Sequence, residues 1–283
     1  MTSLAHSRSG SGAPLVLLHA LGLSRASWAP VVPALAEHFD VIAVDLPGLG
    51  DSPPLAEEPS PKALAAAVAA FLDEQGLAVP HVVGNSLGGW VAMELAALRP
   101  LASVTLLSPA GMWPGSTPLY CRVSLRATRW LSVHAGGLVS RALTTRIGRV
   151  AVLGQTHARP GRMSPEQANT ALHDMASAPG FDAAFAATLH RHYAAGDPFS
   201  APVTVAFGDR DRLLLRRSWR RLDELPPDRH VASLPGCGHI PMADDPAAVA
   251  ALVLAATGRR RMGTEHPSRG GPPWPTCTPT SRA

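Results

Sequence analysis

Apolar positions along this chain follow two alternating rhythms. Short runs at Leu15–Leu18, Val41–Val44, His81–Gly84 and Val104–Leu107 are bounded by turn residues and read as buried strands. Between them, apolar residues recur at helical spacing. Trp28, Val32 and Leu35 make one such set. Leu64, Val68, Phe71 and Leu72 make another, opened by Ser60-Pro61 as N-cap and first helical residue and stopped by Gly76. A third helix is expected from Leu87 to Leu98. This alternation predicts an α/β fold, a mostly parallel sheet flanked by helices.

The alternation lapses from about Gly111 to Asp197, where helical patterns stand without a strand. One carries Tyr120, Val123, Ala127 and Trp130, and another Leu143, Ile147 and Val150. A third opens at Ser164 with Gln167 three residues on, the pattern of a capping box, and a fourth runs from Phe181 through Phe185 to Leu189. Strands resume at Val203–Phe207 and Val231–Leu234, and a last helix capped at Asp245-Pro246 ends near Gly258. The expected organisation is a core built from residues 1–110 and 198–258, an all-helical insertion over 111–197, and a tail over 259–283. The basic, Pro-rich tail has almost no aliphatic residues to bury, so it is expected to be disordered.

Composition excludes several classes. With 283 residues, 46% hydrophobic and 16% charged, the chain can bury a sizeable core. No apolar run approaches the ~20 residues of a membrane span, so no membrane association is expected. Met1–Gly12 is polar and lacks the apolar segment of a secretory signal. Cys121, Cys237 and Cys277 are too scattered for a disulfide framework or a metal cluster, which points to the cytoplasm. Five arginines against Glu265 after Gly258 sum to +4, the net charge of the whole chain. The remaining body therefore balances 20 basic and 20 acidic side chains, and no nucleic-acid partner is expected. His190 and His192 read as surface residues because no further ligands accompany them. Neither a metal nor another cofactor is expected.

The sharpest chemical signal is Gly84-Asn85-Ser86-Leu87-Gly88, placed between a strand and a helix. A serine there sits on a tight turn that lifts its hydroxyl above the sheet, and small flanking residues let strand and helix approach. The Leu87 amide, opening the helix, points toward developing negative charge. A serine hydroxyl is a poor nucleophile unless a base takes its proton and an acid orients that base. Two later strands end in suitable loops, Gly208-Asp209-Arg210-Asp211 and Gly236-Cys237-Gly238-His239. Asp211, beyond its turn, is favoured over Asp209, which is assigned to ordering that turn. The loop Ser108-Pro109-Ala110-Gly111 offers no competing carboxylate. His19-Ala20-Leu21-Gly22, after the first strand, can turn a backbone N–H toward the nucleophile, with His19 bracing the loop. Asp45, heading the glycine-rich stretch to Ser52, is read as structural.

Together HALG at 19–22, DLPGLGDS at 45–52, GNSLGG at 84–89, GDRD at 208–211 and GCGH at 236–239 resemble the α/β-hydrolase superfamily, across almost all of residues 14–258. The resemblance implies Ser86 as nucleophile, His239 as general base and then acid, Asp211 as orienting acid, and the amides of Leu21 and Leu87 as the oxyanion hole. It implies that the helical insertion is the family's cap, placed after the sixth strand. Only about a dozen residues precede the first clear strand, so the usual N-terminal antiparallel strands are expected to be truncated or partly lost. Ala20 stands where many relatives carry glycine, and Ser86 separates the chain from relatives with an aspartate nucleophile.

The expected function is that of a cofactor-free serine hydrolase acting through an acyl-enzyme on an ester or related acyl bond of a small, hydrophobic molecule. C–C bond or enol-lactone hydrolysis, acyl transfer and haloperoxidase-like chemistry share the same triad. A non-catalytic ligand-binding receptor is the alternative of a different class. Met112, Trp113, Trp130, Phe181 and Phe185 are candidates for an apolar pocket lining, and equally for packing the helices together.

Overall fold

The computed structural model describes residues 3–195, 201–215 and 220–258. Seven strands form one sheet: β1 (His6–Gly10), β2 (Ala13–Leu18), β3 (Phe39–Val44), β4 (His81–Asn85), β5 (Ser103–Leu107), β6 (Val203–Gly208) and β7 (His230–Leu234). Their order is β1-β3-β2-β4-β5-β6-β7, and every neighbouring pair is parallel except β1 with β3. The unbroken apolar runs of β2 and β3 follow from burial on both faces. Val16, Leu18, Ile42 and Val44 join a core with helices α2 (Pro61–Glu74) and α3 (Leu87–Leu98). Leu15, Leu17, Val41 and Ala43 join a second core with Trp28, Leu35 of α1 (Val32–Ala36) and the C-terminal helix Pro246–Thr257.

The N-terminal strands are only partly lost, since β1 pairs antiparallel with β3, His6 opposite Val44 and Gly10 opposite Asp40. Its sequence, HSRSG, is polar and mostly exposed, so it carries no apolar alternation. It forms through main-chain pairing at the sheet edge, reinforced by the Arg8 guanidinium donating to Asp40 at 2.8 Å.

The chain leaves the sheet after β5, its fifth strand, and between there and residue 195 forms helices without a strand. These are α4 (Leu119–His134), α5 (Gly136–Leu143), α6 (Arg146–Leu153), α7 (Pro165–Ser177) and α8 (Phe181–Thr188). The capping box of α7 is present: the Gln167 amide donates to Ser164 Oγ at 3.2 Å and the Ser164 amide to Gln167 Oε1 at 2.9 Å. The periodic set Leu143, Ile147, Val150 spans the end of α5 and α6, with Leu143 buried and the other two exposed. One junction between sheet loops and helices is main chain on main chain. The Gly180 amide donates to the Gly48 carbonyl at 2.8 Å, and a Cβ on Gly48 would lie 2.8 Å from Gly180 Cα. After β7 come α9 (Pro241–Asp244) and α10 (Pro246–Thr257), the latter capped by Asp245. The 197/198 boundary, the tail and Cys277 lie outside the described residues.

Candidate active site

Ser86 occupies the turn between β4 and α3 at φ 53°, ψ −112°, a conformation that costs a non-glycine residue ~1–3 kcal/mol. The surroundings impose it. The Ser86 amide donates to the Leu107 carbonyl at 3.0 Å, and the Ala110 amide donates to the Ser86 carbonyl at 2.9 Å. The flanking glycines are a packing requirement: a Cβ on Gly84 would lie 2.2 Å from the Gly88 carbonyl, and one on Gly88 would lie 2.2 Å from that of Leu18. Asn85, fully buried, donates its side-chain amide to the carbonyls of Leu107 at 2.9 Å and His239 at 3.0 Å. It thereby ties the serine turn to the loop after β7.

That loop carries His239, whose Nε2 lies 2.8 Å from Ser86 Oγ and whose Nδ1 lies 2.9 Å from Asp211 Oδ2. The other Asp211 oxygen accepts the Leu213 and Leu214 amides at 2.8 and 2.9 Å. Burial alone would raise this carboxyl, but the facing imidazole and the two amides outweigh it and hold the pKa at about 2. An ionised carboxylate only accepts, so the imidazole proton belongs on Nδ1. Nε2 is then free to accept from the serine hydroxyl. Asp209, the competing acid, instead accepts the Gly236 amide at 2.6 Å and orders the turn.

Asp244, which belongs to none of the sequence motifs, holds the histidine loop from below. Its carboxylate accepts the amides of Gly238 at 2.7 Å, Ala158 at 2.9 Å and Arg159 at 2.6 Å, joining that loop to the chain between α6 and α7. Its only sequence signal is a position beside the Asp245-Pro246 cap.

Leu87 is the first residue of α3, so its N–H has no helical carbonyl one turn upstream. Leu21 follows β2, and both residues border the space around Ser86. The Leu21 turn is braced by His19, whose Nδ1 donates to the Ala20 carbonyl at 2.9 Å while Nε2 accepts the Leu46 amide at 3.0 Å. That pairing needs the neutral ring, and complete burial lowers its pKa accordingly. Asp45 is structural: it accepts the amides of Arg25 and Asp51 and pairs with the Arg25 guanidinium.

Two mostly apolar lobes, of about 80 and 40 Å³, meet at Leu21, Ser86 and His239. The larger runs under α4 and α6, where Thr128, Ser132 and Gln155 give it a polar patch beside His157. Trp113 and Phe185, two of the five candidate pocket residues, line the smaller lobe with Cys121. The other three lie elsewhere. Met112 and Phe181 are packed into the core among the sheet-covering residues. Trp130 is 58% exposed on the outer side of α4, stacked on His134. Helical periodicity identifies a face without saying which way it points. The Cys121 thiol is pushed up to about 12 by burial and donates to the Leu213 carbonyl, so it is a wall rather than a nucleophile. His192 Nδ1 donates to the Gly115 carbonyl at 3.1 Å, and neither His190 nor His192 borders the two lobes at Ser86.

The sheet order, the strained serine turn and the hydrogen-bonded side chains define a class, and the comparison with known families agrees. The chain belongs to the alpha/beta hydrolase family, whose model matches residues 15–252, and it is a hydrolase of that family. Among individual proteins, it is 33% identical over 259 residues to the pimeloyl-[acyl-carrier protein] methyl ester esterase of Aeromonas hydrophila subsp. hydrophila, covering 86% of this chain and 95% of that one. It is 30% identical over 189 residues to the epoxide hydrolase EphH of Mycobacterium tuberculosis, covering 65% of this chain and 88% of that one. A thermophilic esterase from Thermogutta terrifontis shares the fold with a TM-score of 0.71 at 22% identity, over 89% of this chain and 92% of that one.

Proposed function

We propose that the protein is a serine esterase that cleaves esters of small alcohols with hydrophobic acyl groups through a covalent acyl-enzyme. The observation that carries this reading is the continuous chain from Ser86 Oγ to His239 to Asp211 at 2.8 and 2.9 Å. His239 Nε2 takes the serine proton as Oγ attacks the ester carbonyl, and Asp211 stabilises the resulting imidazolium. The Leu21 and Leu87 amides hold the oxyanion. Collapse of the tetrahedral intermediate breaks the C–O bond, and His239 returns its proton to the departing alkoxide. Water then repeats the sequence, releasing the carboxylic acid and restoring the serine. The helices α4 to α8 act as the cap that encloses this space.

The smaller lobe suits a short alkoxide and the larger an acyl chain, in keeping with the similarity to a methyl ester esterase. Epoxide opening fits less well. Attack by a serine oxygen on an epoxide carbon would leave an alkyl ether, which the same base and water cannot hydrolyse. The free thiols Cys121 and Cys237, both held protonated by burial, fit a reducing compartment, and we place the reaction in the cytoplasm.

The test is Ser86→Ala, measured by fluorophosphonate labelling and by turnover of p-nitrophenyl and methyl esters. Labelling should vanish and kcat fall by ~10⁶-fold. A folded Ser86→Ala protein that keeps most of its turnover overturns the proposal.

A further inference from the structure

Helix α4 is built inside out. Its inner face carries Cys121, Ser124, Thr128 and Ser132, whereas Leu119, Val123 and Trp130 face solvent at 67%, 59% and 58% exposure. The inner polarity is satisfied: Ser124 donates to Gln155, Gln155 to Thr128, and Ser132 to the Thr128 carbonyl. Among the described residues, Leu119 and Val123 are left to solvent, and Trp130 is stacked only on His134 of the same helix. Leu119, Val123 and Trp130 stand four and seven residues apart, so they form one stripe, ~16 Å long at the helical rise. Tyr120 and Leu215, both exposed, extend it at the α4 N-terminus, where they share a shallow depression with Leu119. A surface helix of a soluble protein normally shows the opposite arrangement.

Charge says what the stripe meets. Between Glu94 and Glu166 the sequence holds nine arginines and no acidic residue. Arg122, Arg126 and Arg129 run along one flank of the stripe, four and three residues apart, Arg126 over the Phe185 ring and Arg129 anchored to the carbonyls of Met175 and Ala178. An apolar stripe with Trp and Tyr near its ends and an arginine border is the pattern of a helix lying in the headgroup layer of an anionic bilayer. A second copy of α4 would offer these arginines no acidic side chain. A convex stripe on one helix also offers a folded partner no groove, whereas lipid needs none. No helix among the described residues is long and apolar enough to cross a membrane, so the contact is peripheral.

We infer that the outer face of α4 docks the protein on anionic lipid surfaces. The inference stands apart from the esterase reading. The same helix ceilings the cavity with Leu125, Thr128 and Ser132, so docking sets the site against the bilayer.

The test is co-sedimentation of the full-length protein with phosphatidylcholine vesicles, with and without phosphatidylglycerol. Binding should require phosphatidylglycerol and weaken with added salt. Val123→Asp/Trp130→Asp should weaken it by about tenfold or more, and so should Arg122→Gln/Arg126→Gln. Circular dichroism and the urea midpoint check that each variant is folded. Absence of pelleting with anionic vesicles overturns the inference. So does undiminished binding by Val123→Asp/Trp130→Asp, which keeps every arginine of the chain and would place the contact elsewhere. A concentration-dependent dimer in sedimentation velocity that the same variant abolishes would assign the stripe to a second copy, and also overturns it.

Discussion

Replacing Asp244 by alanine should damage both the stability of the protein and its turnover. The carboxylate accepts three backbone amides, and its side chain is buried. Removing it leaves the Gly238 amide, in fully buried surroundings, without an acceptor, at a cost of ~2–3 kcal/mol for a lost charge-assisted bond. The Ala158 and Arg159 amides are partly accessible and can recruit water, so about 1 kcal/mol each is a fair allowance. The sum, about 4–5 kcal/mol, should appear in urea unfolding. It corresponds to a midpoint temperature lowered by roughly 8–20 °C for a domain of this size. Kinetics should follow the geometry. Gly238 precedes His239, so relaxation of the loop shifts the imidazole relative to Ser86, and a displacement near 1 Å costs on the order of 10²-fold in kcat. p-Nitrophenyl acetate turnover measured well below the lowered melting range isolates this effect, with KM moving much less than kcat. An Asp244→Ala protein melting within about 2 °C of the parent, with undiminished kcat, would refute this role.

Other consequences follow from the same contacts. Gly88→Ala should abolish soluble expression or cost more than ~3 kcal/mol, because its Cβ meets the Leu18 carbonyl at 2.2 Å, whereas Gly76→Ala, at φ 68° with open space around it, should cost only ~1–2 kcal/mol. Urea melts of the two variants side by side check the contrast. His19 has its folded-state pKa lowered by burial, so below pH ~6.5 the unfolded chain binds its proton first and stability falls on acidification. His19→Gln should therefore flatten the pH dependence of unfolding free energy between pH ~6.5 and 5 by up to about 1.4 kcal/mol per unit, while lowering stability at neutral pH. Matched denaturant titrations across that range decide it, and an unchanged slope would show that the ring is not the titrating group.

The core of the molecule was readable because burial on both faces turns β2, β3 and β4 into unbroken apolar runs, and because Ser60, Gly76 and Asp245 mark helix ends by local chemistry. The Ser86 loop was readable for the same reason, as a glycine-bracketed stretch directly after β4, whereas the His239 loop follows the partly exposed edge strand β7 and is marked by its own glycines. What escaped is what depends on distance in the chain. β1 is held by pairing with β3 and by Arg8 with Asp40, and neither leaves a mark in HSRSG. The orientation of α4 escaped because a period of 3.6 is the same whichever face is buried, and the set Tyr120, Val123, Ala127 and Trp130 that carries it lies on the exposed side. Asp244 escaped because its three bonds join residues 85 and 86 positions away to one close at hand. The choice between Asp209 and Asp211 had only loop position to go on, and the structure separates them by what each carboxylate accepts.

The meeting of Gly48 and Gly180 bears on how this protein can change. Where side chains mediate the contact between helices and sheet, a substitution on one side can be absorbed by a different rotamer on the other. Here the two backbones touch without upholstery. A methyl group added to either glycine would wedge the roof away from its foundation and carry Phe181 and the rest of α8 with it. The spot therefore behaves as a datum from which the height of the ceiling over Ser86 is measured, so reshaping the space beneath it falls to the side chains around that fixed mark.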